Sequence, residues 1–216
     1  MTSKTRSLLP DNDLYPLLEL RHSDPHRILG FCPLSASEAV LRVWYPGAQK
    51  VKWMAPWGEF DLPCVEERGL FDLIIPHRGQ SQYFQIFESD PKINRLAPKC
   101  GNTGTDPFAY VLEITTEQGS KRLHDPYAFD PQISDLDLYL HAEGRDWESY
   151  KHLGAHPRIV GGVAGTCFAV WAPNAQRVSV VGDFNNWDGR FHLMRRLGSS
   201  GIWEIFIPEV AEGAHY

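Results

Sequence analysis

The sequence predicts an all-β protein built from two tandem β-sandwich modules, and three observations support this fold class. Short runs rich in β-branched and aromatic residues recur along the 216 residues, with turn signals between them. The 16 Pro and 18 Gly favour many turns. A pattern of strand, turn and strand occurs twice. No long helical stretch separates the strands, which favours antiparallel sheets over a parallel α/β sheet.

The repeat consists of two pairs of matching blocks. Residues 43–51 (VWYPGAQKV) align with residues 170–178 (VWAPNAQRV) at an offset of 170 − 43 = 127. Residues 69–76 (GLFDLIIP) align with residues 201–208 (GIWEIFIP) at an offset of 201 − 69 = 132. Two matching blocks in the same order indicate an internal duplication. We therefore expect each copy to form an immunoglobulin-like sandwich of short antiparallel strands.

The first copy begins after a short helix. Asp and Asn side chains that can cap a helix precede leucines at helical spacing, which predicts a helix over residues 13–21. Polar residues 116–120 are the predicted boundary, so that the first module covers residues 1–118 and the second covers residues 119–216 with its linker. The predicted strands of the first module lie at residues 39–45, 49–54, 69–76, 81–87 and 110–114.

The second copy follows a linker with a helix predicted over residues 133–140. Its strands are predicted at residues 168–171, 177–181 and 202–208, and the last of these is apolar on both faces. Residues 182–187 (GDFNNW) contain turn formers around two aromatic residues and predict a loop. Three tryptophans within predicted strands are expected to pack in the core: Trp44, Trp171 and Trp203.

The end of the sequence falls within a predicted strand. The counterpart of Phe84 in the second copy is Tyr216, since 84 + 132 = 216. We therefore expect a fragment whose second sandwich lacks its last strand or strands, with an open core and marginal stability.

Composition excludes several classes of partner and site. The net charge of −6 and the absence of a basic stretch argue against nucleic acid and membrane partners. Neither a signal peptide nor an apolar run of membrane-spanning length is visible, and the four Cys lack zinc-site spacing, which favours reduced thiols in the cytoplasm. His22 and His26 lie four residues apart, as do His152 and His156, but Pro25 and Gly154 intervene, so surface or packing roles are favoured over a metal site.

Several stretches resemble a known family. FAVWAPNAQRVSVVGDFNNWDG, followed by GIWEIFIPEV, is similar to the starch- and glycogen-associated module (CBM48 type) that precedes the catalytic barrel of α-glucan branching and debranching enzymes. HDPYAF, LYLHAEGR and LGAHP resemble the matching parts of bacterial 1,4-α-glucan branching enzymes. The resemblance covers most of the chain from about Pro25 onward.

The resemblance implies a function for the whole enzyme. It would cleave an α-1,4 glucan and reattach the piece through an α-1,6 bond in glycogen biosynthesis, without a metal or organic cofactor. The partners implied are the α-glucan and a catalytic barrel of the same chain that these residues do not include. An isoamylase-like debranching enzyme or a trehalohydrolase remains an alternative, as does a stand-alone glycogen-binding protein.

Catalysis by these residues alone is not expected. Retaining glycosyl transfer needs two carboxylates about 5 Å apart, and no βαβα pattern supplies the barrel loops that would carry them. Asp183 and Asp188 bracket the GDFNNW loop, where acids serve most often as turn formers or caps. The expected catalytic residues are therefore none.

Binding is the expected activity of the second module. A glucan offers flat apolar sugar faces edged with hydroxyls, and Trp187 stands beside three hydrogen-bonding side chains, Asn185, Asn186 and Asp188. The resemblance implies that Trp187 stacks on sugar, while the alternative is that it packs on the sandwich or on the barrel. In the first copy, the offset of 127 places Phe60 opposite Trp187 and Gly58-Glu59 opposite Asn185-Asn186. The pair of amide side chains is therefore missing there, which argues against a sugar site in the first copy.

Overall fold

A computed structural model describes residues 7–35, 38–55, 58–76 and 110–216. These residues form three antiparallel sheets and two short α-helices, which confirms the all-β prediction. The chain divides into two compact units. Unit 1 consists of Met1–Pro10 and His26–Ala128, and unit 2 consists of Asp11–Pro25 and Phe129–Tyr216.

Unit 1 contains two four-stranded sheets. Its strands are β1 (Gly30–Pro33), β2 (Glu38–Trp44), β3 (Lys50–Ala55), β4 (Gly58–Leu62), β5 (Cys64–Glu66), β6 (Leu70–Pro76), β7 (Val111–Thr116) and β8 (Gly119–His124). One sheet has the order β1-β2-β6-β5 and the other has the order β4-β3-β7-β8. Buried side chains from both sheets form one apolar cluster, including Leu41 and Phe71 from the first sheet and Val51, Leu112 and Ile114 from the second. This shared core makes unit 1 a β-sandwich.

The predicted boundary at residue 118 falls in the hairpin between β7 and β8, whose residues pair from Val111↔His124 to Thr116↔Gly119. Polar, exposed residues in β8 explain why the sequence there resembles a linker. The strand predicted at residues 81–87 lies outside the described residues. The other predicted strands of this module match β2, β3, β6 and β7.

Unit 2 is built around one four-stranded sheet. Its elements are α1 (Asp11–Leu18), α2 (Asp135–Ala142), β9 (Gly154–Val160), β10 (Val163–Trp171), β11 (Arg195–Arg196) and β12 (Ile202–Pro208). The strands lie in the order β11-β12-β10-β9. Every residue of β12 is buried, as its two apolar faces predict. The helix α2 begins with a capping box between Ser134 and Asp137, a pairing that satisfies the free N–H groups of its first turn.

The duplication is visible in the strand register. In unit 1, Val43 pairs with Phe71, and in unit 2, Val170 pairs with Trp203. These pairs match each other at the offsets of the sequence repeat. The turn that follows is also repeated, since the Tyr45 N–H donates to the Gly69 carbonyl and the Ala172 N–H donates to the Gly201 carbonyl, each at 2.8 Å.

Two predictions for unit 2 are wrong. Residues 177–181 form no regular strand and make a single antiparallel bridge, between Ser179 and Leu193. His192, beside that bridge, has a φ of +50°, a left-handed conformation outside the range of a regular antiparallel strand. Trp171 is 55% exposed and does not pack in the core, whereas Trp44 and Trp203 do. Trp171 lies at the last position of β10, and its indole N–H donates to the Ser200 carbonyl at 3.2 Å.

Neither helix of the described part has the length and apolar character needed to cross a membrane.

Candidate functional site

The candidate site is the loop formed by residues 182–187. After Gly182, a 3₁₀ turn covers Asp183–Asn185, and the next two residues are both left-handed. Asn186 has a φ of +55° and Trp187 a φ of +57°. Asn tolerates this conformation, but it is uncommon for a large aromatic residue. The surrounding contacts must therefore hold the loop in this shape.

Asn185 fixes the shape of the loop from inside. Its side chain is buried, and its Oδ1 accepts from the Gly182 N–H at 2.9 Å. Its Nδ2 donates to the Val180 carbonyl at 2.8 Å and contacts the His192 Nδ1 at 2.9 Å. Because the backbone partners determine which amide atom donates, the His192 Nδ1 acts as an acceptor. Asn185 was predicted from sequence to contact carbohydrate, but both polar atoms of its side chain form hydrogen bonds within the protein.

Trp187 presents a partly open ring. Its side chain is 54% exposed, and its Nε1–H donates to the Asp183 Oδ1 at 2.9 Å. Its backbone N–H donates to the Gly182 carbonyl at 3.0 Å. One edge of the indole is therefore fixed to the loop while much of the ring remains open to solvent.

Two polar side chains flank the ring. Asn186 is exposed. Asp188 is held by Arg190, whose Nε lies 3.0 Å from both carboxylate oxygens and whose Nη2 lies 2.6 Å from Oδ2. Hydrogen bonding from Arg190 lowers the pKa of Asp188 below its ordinary value. The carboxylate therefore stays ionised near neutral pH and is a poor proton donor.

The base of the loop is packed against the rest of unit 2. The Asp183 N–H donates to the His215 carbonyl at 3.2 Å. The Phe184 ring lies 6.3 Å from the Phe168 ring of β10, between ring centroids. A Cβ on Gly182 would collide with the His215 carbonyl and the Phe184 ring, so this position requires glycine by close approach. The loop is therefore a fixed part of the fold.

Asp183 in the loop and Asp188 directly after it both already accept hydrogen bonds. Asp183 binds the Trp187 indole, and Asp188 binds Arg190. The arrangement offers an aromatic ring and hydrogen-bonding groups to a neutral ligand, and it shows no acid and base pair converging on a cleft. The arrangement is therefore a candidate for binding rather than for catalysis.

The histidine pairs of the sequence lie apart from this loop. His22 contacts Asp13 at 3.3 Å, and His152 contacts Asp146 at 2.9 Å. His156 Nε2 lies 2.9 Å from the Leu153 carbonyl. Within the part of the chain that the structure describes, no group of three or more His, Cys, Asp or Glu side chains is placed to hold a metal ion.

The counterpart of the loop in unit 1 is a strand. Phe60, opposite Trp187 in the repeat, lies in β4 with its ring 5.3 Å from the Trp53 ring. Glu59, opposite Asn186, pairs with Lys52 at 2.8 Å. The exposed ring of unit 2 thus has no equivalent at this position of unit 1.

Two contacts of the site were missed by sequence reasoning. The Asp188–Arg190 contact had a local signal, because an Asp two residues before a backbone N–H forms an Asx turn. The Asn185–His192 contact forms only because the chain folds back after the loop, and no rule of sequence spacing predicts it.

Two family models match the chain. The model described as "alpha-1,4-glucan branching enzyme GlgB, N-terminal domain" matches residues 10–94. The model described as "Carbohydrate-binding module 48 (Isoamylase N-terminal domain)" matches residues 152–216, which include the Trp187 loop. The Trp187 loop therefore lies in a region similar to a carbohydrate-binding module.

Curated relatives carry one name. The 1,4-alpha-glucan branching enzyme GlgB of Cellvibrio japonicus (strain Ueda107) is 37% identical over 94% of this chain and 25% of its own length. That of Myxococcus xanthus (strain DK1622) is 41% identical over 95% of this chain and 24% of its own length. The chain thus spans about a quarter of the length of these relatives.

Among solved structures, pullulanase type I from Bacillus subtilis str. 168 aligns with 87% of this chain and 22% of its own at 12% identity. Its TM-score of 0.20 is too low to carry an argument. The two domain matches and the consistent names of the relatives agree with each other. Over nearly its whole length the chain is therefore similar to the N-terminal quarter of bacterial 1,4-alpha-glucan branching enzymes, with one part matching their N-terminal domain and the other matching carbohydrate-binding module 48.

Proposed function

We propose that unit 2 binds an α-glucan through the Trp187 loop and holds the polymer for a branching enzyme. The observation that carries this proposal is the hydrogen bond between the Trp187 indole and Asp183, which fixes a ring that is 54% exposed. Asn186 and Asp188 are the polar side chains beside it. Asn185 belongs to the support of the loop and contributes no direct contact to sugar in this proposal.

The physical basis is the shape of a glucose unit. One face of the pyranose ring presents C–H groups, which pack on an aromatic ring, while its edge carries hydroxyls that need hydrogen-bonding partners. A ring that is already held in place loses little conformational freedom when the sugar arrives. The match of residues 152–216 to a carbohydrate-binding module supports this ligand class.

For the whole protein, we propose the activity named for the relatives. It would cleave an α-1,4-linked chain and transfer the released piece to an α-1,6 position, with both catalytic carboxylates supplied by a barrel of the same polypeptide. No metal or organic cofactor is needed for that chemistry. We place the enzyme in the cytoplasm, which accords with Cys64 and Cys167, neither of which forms a disulfide.

Affinity electrophoresis in gels containing glycogen tests the binding proposal. We expect Trp187→Ala to reduce retardation strongly and Trp187→Phe to reduce it less, because phenylalanine keeps an aromatic face. Tyr15→Ala, which removes an aromatic ring 56% exposed on α1, is the matched control and should leave retardation unchanged. Retention of full retardation by a folded Trp187→Ala variant would overturn the proposal.

One observation favours a second candidate for the whole protein. The module matched by residues 152–216 is also described as the isoamylase N-terminal domain, which agrees with a debranching enzyme. The match of residues 10–94 to the branching-enzyme domain favours branching. Incubating the full-length protein with amylose and, separately, with glycogen distinguishes the two. Branching creates new α-1,6 linkages in amylose, whereas debranching removes the α-1,6 linkages of glycogen. The stand-alone binding alternative predicts neither change.

A further inference from the structure

Unit 2 exposes two more indoles besides that of Trp187. Trp147 is 88% exposed and Trp171 is 55% exposed. Trp147 lies between α2 and β9, and Trp171 ends β10. Neither ring is part of the Trp187 loop.

Trp171 is held in place at two points. Its Nε1–H donates to the Ser200 carbonyl at 3.2 Å. Its ring meets the His141 ring edge to face, with 5.7 Å between centroids and an angle of 68°. His141 belongs to the last turn of α2, so the helix end and the β10 end are joined by this contact.

The same helix end holds the turn that carries Trp147. The Asp146 side chain is almost fully buried, with the His152 Nε2 at 2.9 Å and the His141 Nδ1 at 3.7 Å. The Arg145 N–H donates to the Leu140 carbonyl at 2.9 Å, which fixes the turn to α2. Trp147 directly follows Asp146. His141 therefore connects the Trp171 ring and the base of the Trp147 turn.

The surroundings of the two rings favour a sugar over a protein or an anion. Arg145 and Glu148 are exposed on either side of Trp147, whereas the buried core of a protein–protein interface is depleted in charged residues. Glu143 and Glu148 balance Arg145 and Lys151, so this surface has no net positive charge to attract an anionic ligand. Exposed indoles among polar groups instead match the alternating apolar faces and hydroxyl edges of a neutral polysaccharide.

We propose that Trp147 and Trp171 form a second α-glucan contact on unit 2, organised by His141 and Asp146. The ligand class rests on the proposed function, but the residues do not. Two contacts on one module can engage one long polymer together, which raises the apparent affinity for glycogen more than that for a short oligosaccharide.

Glycogen retardation of the intact 216-residue chain tests this proposal. We expect Trp147→Ala to weaken binding, and the Trp147→Ala/Trp171→Ala pair to weaken it about tenfold, the effect of losing roughly one good contact. Adding Trp187→Ala should abolish the remaining retardation. Tyr15→Ala is again the control. Maltoheptaose, which engages fewer contacts at once than glycogen does, should lose less affinity than glycogen in the pair variant.

Each outcome decides between the two proposals. Unchanged retardation of the Trp147→Ala/Trp171→Ala pair overturns the second contact and leaves the Trp187 site intact. Loss of retardation in that pair with no effect of Trp187→Ala supports the second contact and overturns the Trp187 site. If Trp171→Ala lowers the melting temperature, Trp171→Phe with Trp147→Ala replaces it, and unchanged binding of Trp147→Ala alone then overturns the proposal.

Discussion

Asp72 and Glu204 occupy the same position of the repeat, since 72 + 132 = 204, and both are buried beside an arginine. In unit 1 the Arg42 Nε lies 2.9 Å from the Asp72 Oδ1. In unit 2 the counterpart of Arg42 is Ala169, since 42 + 127 = 169, and the cation comes from Arg195 on β11 instead, with its Nη2 3.4 Å from Glu204. The two copies thus keep a buried ion pair while its positive partner changes strands.

The ion pair in unit 2 predicts a large loss of stability when it is broken. Arg195→Met should lower the free energy of unfolding by about 3–5 kcal/mol, because it leaves the Glu204 carboxylate buried without its cation. Arg195 also donates to the Phe129 carbonyl at 2.9 Å, a bond that would be lost. Urea unfolding measures this change. Arg122→Met, which breaks the exposed pair with Glu113, should cost only about 0–1 kcal/mol.

Adding Glu204→Gln to Arg195→Met gives the internal control. The neutral amide can still accept from the Gln132 N–H, which donates to Glu204 at 2.8 Å. We expect the double variant to recover part of the lost stability. Glu204→Gln alone is measured as well. If the double variant loses as much stability as the two single variants lose together, burial of the charge is not the cause.

Two turn glycines of unit 1, Gly47 and Gly69, differ in what a side chain at their position would meet. Gly47 and Gly69 both have a positive φ, of +82° and +95°, but a Cβ on Gly47 meets open space while one on Gly69 collides with the Tyr45 carbonyl. Gly47→Ala should therefore cost about 1–2 kcal/mol for the left-handed backbone alone. Gly69→Ala should cost clearly more. Equal melting temperatures of the two variants would contradict this.

The left-handed backbone of Trp187 predicts an unusual order of stabilities. Trp187→Gly removes the steric cost of a φ of +57°, whereas Trp187→Ala keeps it. The glycine variant should therefore be more stable than the alanine variant by up to about 1 kcal/mol, although both lack the ring. Thermal unfolding compares them. Higher stability of the alanine variant would show that the loop relaxes to another conformation when the ring is removed.

Asp125 in unit 1 predicts a component of stability that depends on pH. Burial raises the pKa of this carboxyl from 3.8 to about 6, even though the Tyr110 hydroxyl and the Tyr127 N–H donate to it. A carboxyl with a raised pKa in the folded state stabilises the fold at low pH and loses that contribution as the pH rises. The loss should begin near pH 4 and be complete above pH 6, at about 3 kcal/mol.

Comparison with Asp125→Asn isolates this effect from the other titrating groups. The amide does not ionise, so the stability difference between the native protein and the variant should move against the native protein between pH 4 and pH 7. Unfolding in urea at a series of pH values measures it. A difference that stays constant over this range would mean that Asp125 titrates normally.

The repeat could be predicted from the sequence because the residues of its paired strands are similar in the two copies. The alignment of the blocks around Trp44 and Trp171 became a shared register in the structure. It did not reveal that Trp44 is buried and Trp171 is exposed, because the same position of a strand is covered or open according to what folds over it. Burial of this kind depends on tertiary contacts that strand periodicity does not encode.

The position of the Trp187 loop was predicted for a similar reason, but its inner contacts were not. Turn formers around Trp187 marked the loop, but the distinction between Asn185 and Asn186 depends on which amide faces inward. Asn185 is buried and Asn186 is exposed, although they are neighbours with the same side chain. The 3₁₀ turn and the two left-handed residues after it decide that orientation.

The bond between Trp187 and Asp183 also has a consequence for the speed of exchange. A ring that is already fixed needs no rearrangement before a ligand lands on it, and an open face places no lid over the ligand afterwards. If the ligand is a glucan, successive glucose units offer the same face, so release of one unit can be followed at once by capture of the next. A long glucan chain could then slide along this surface while staying bound to the protein.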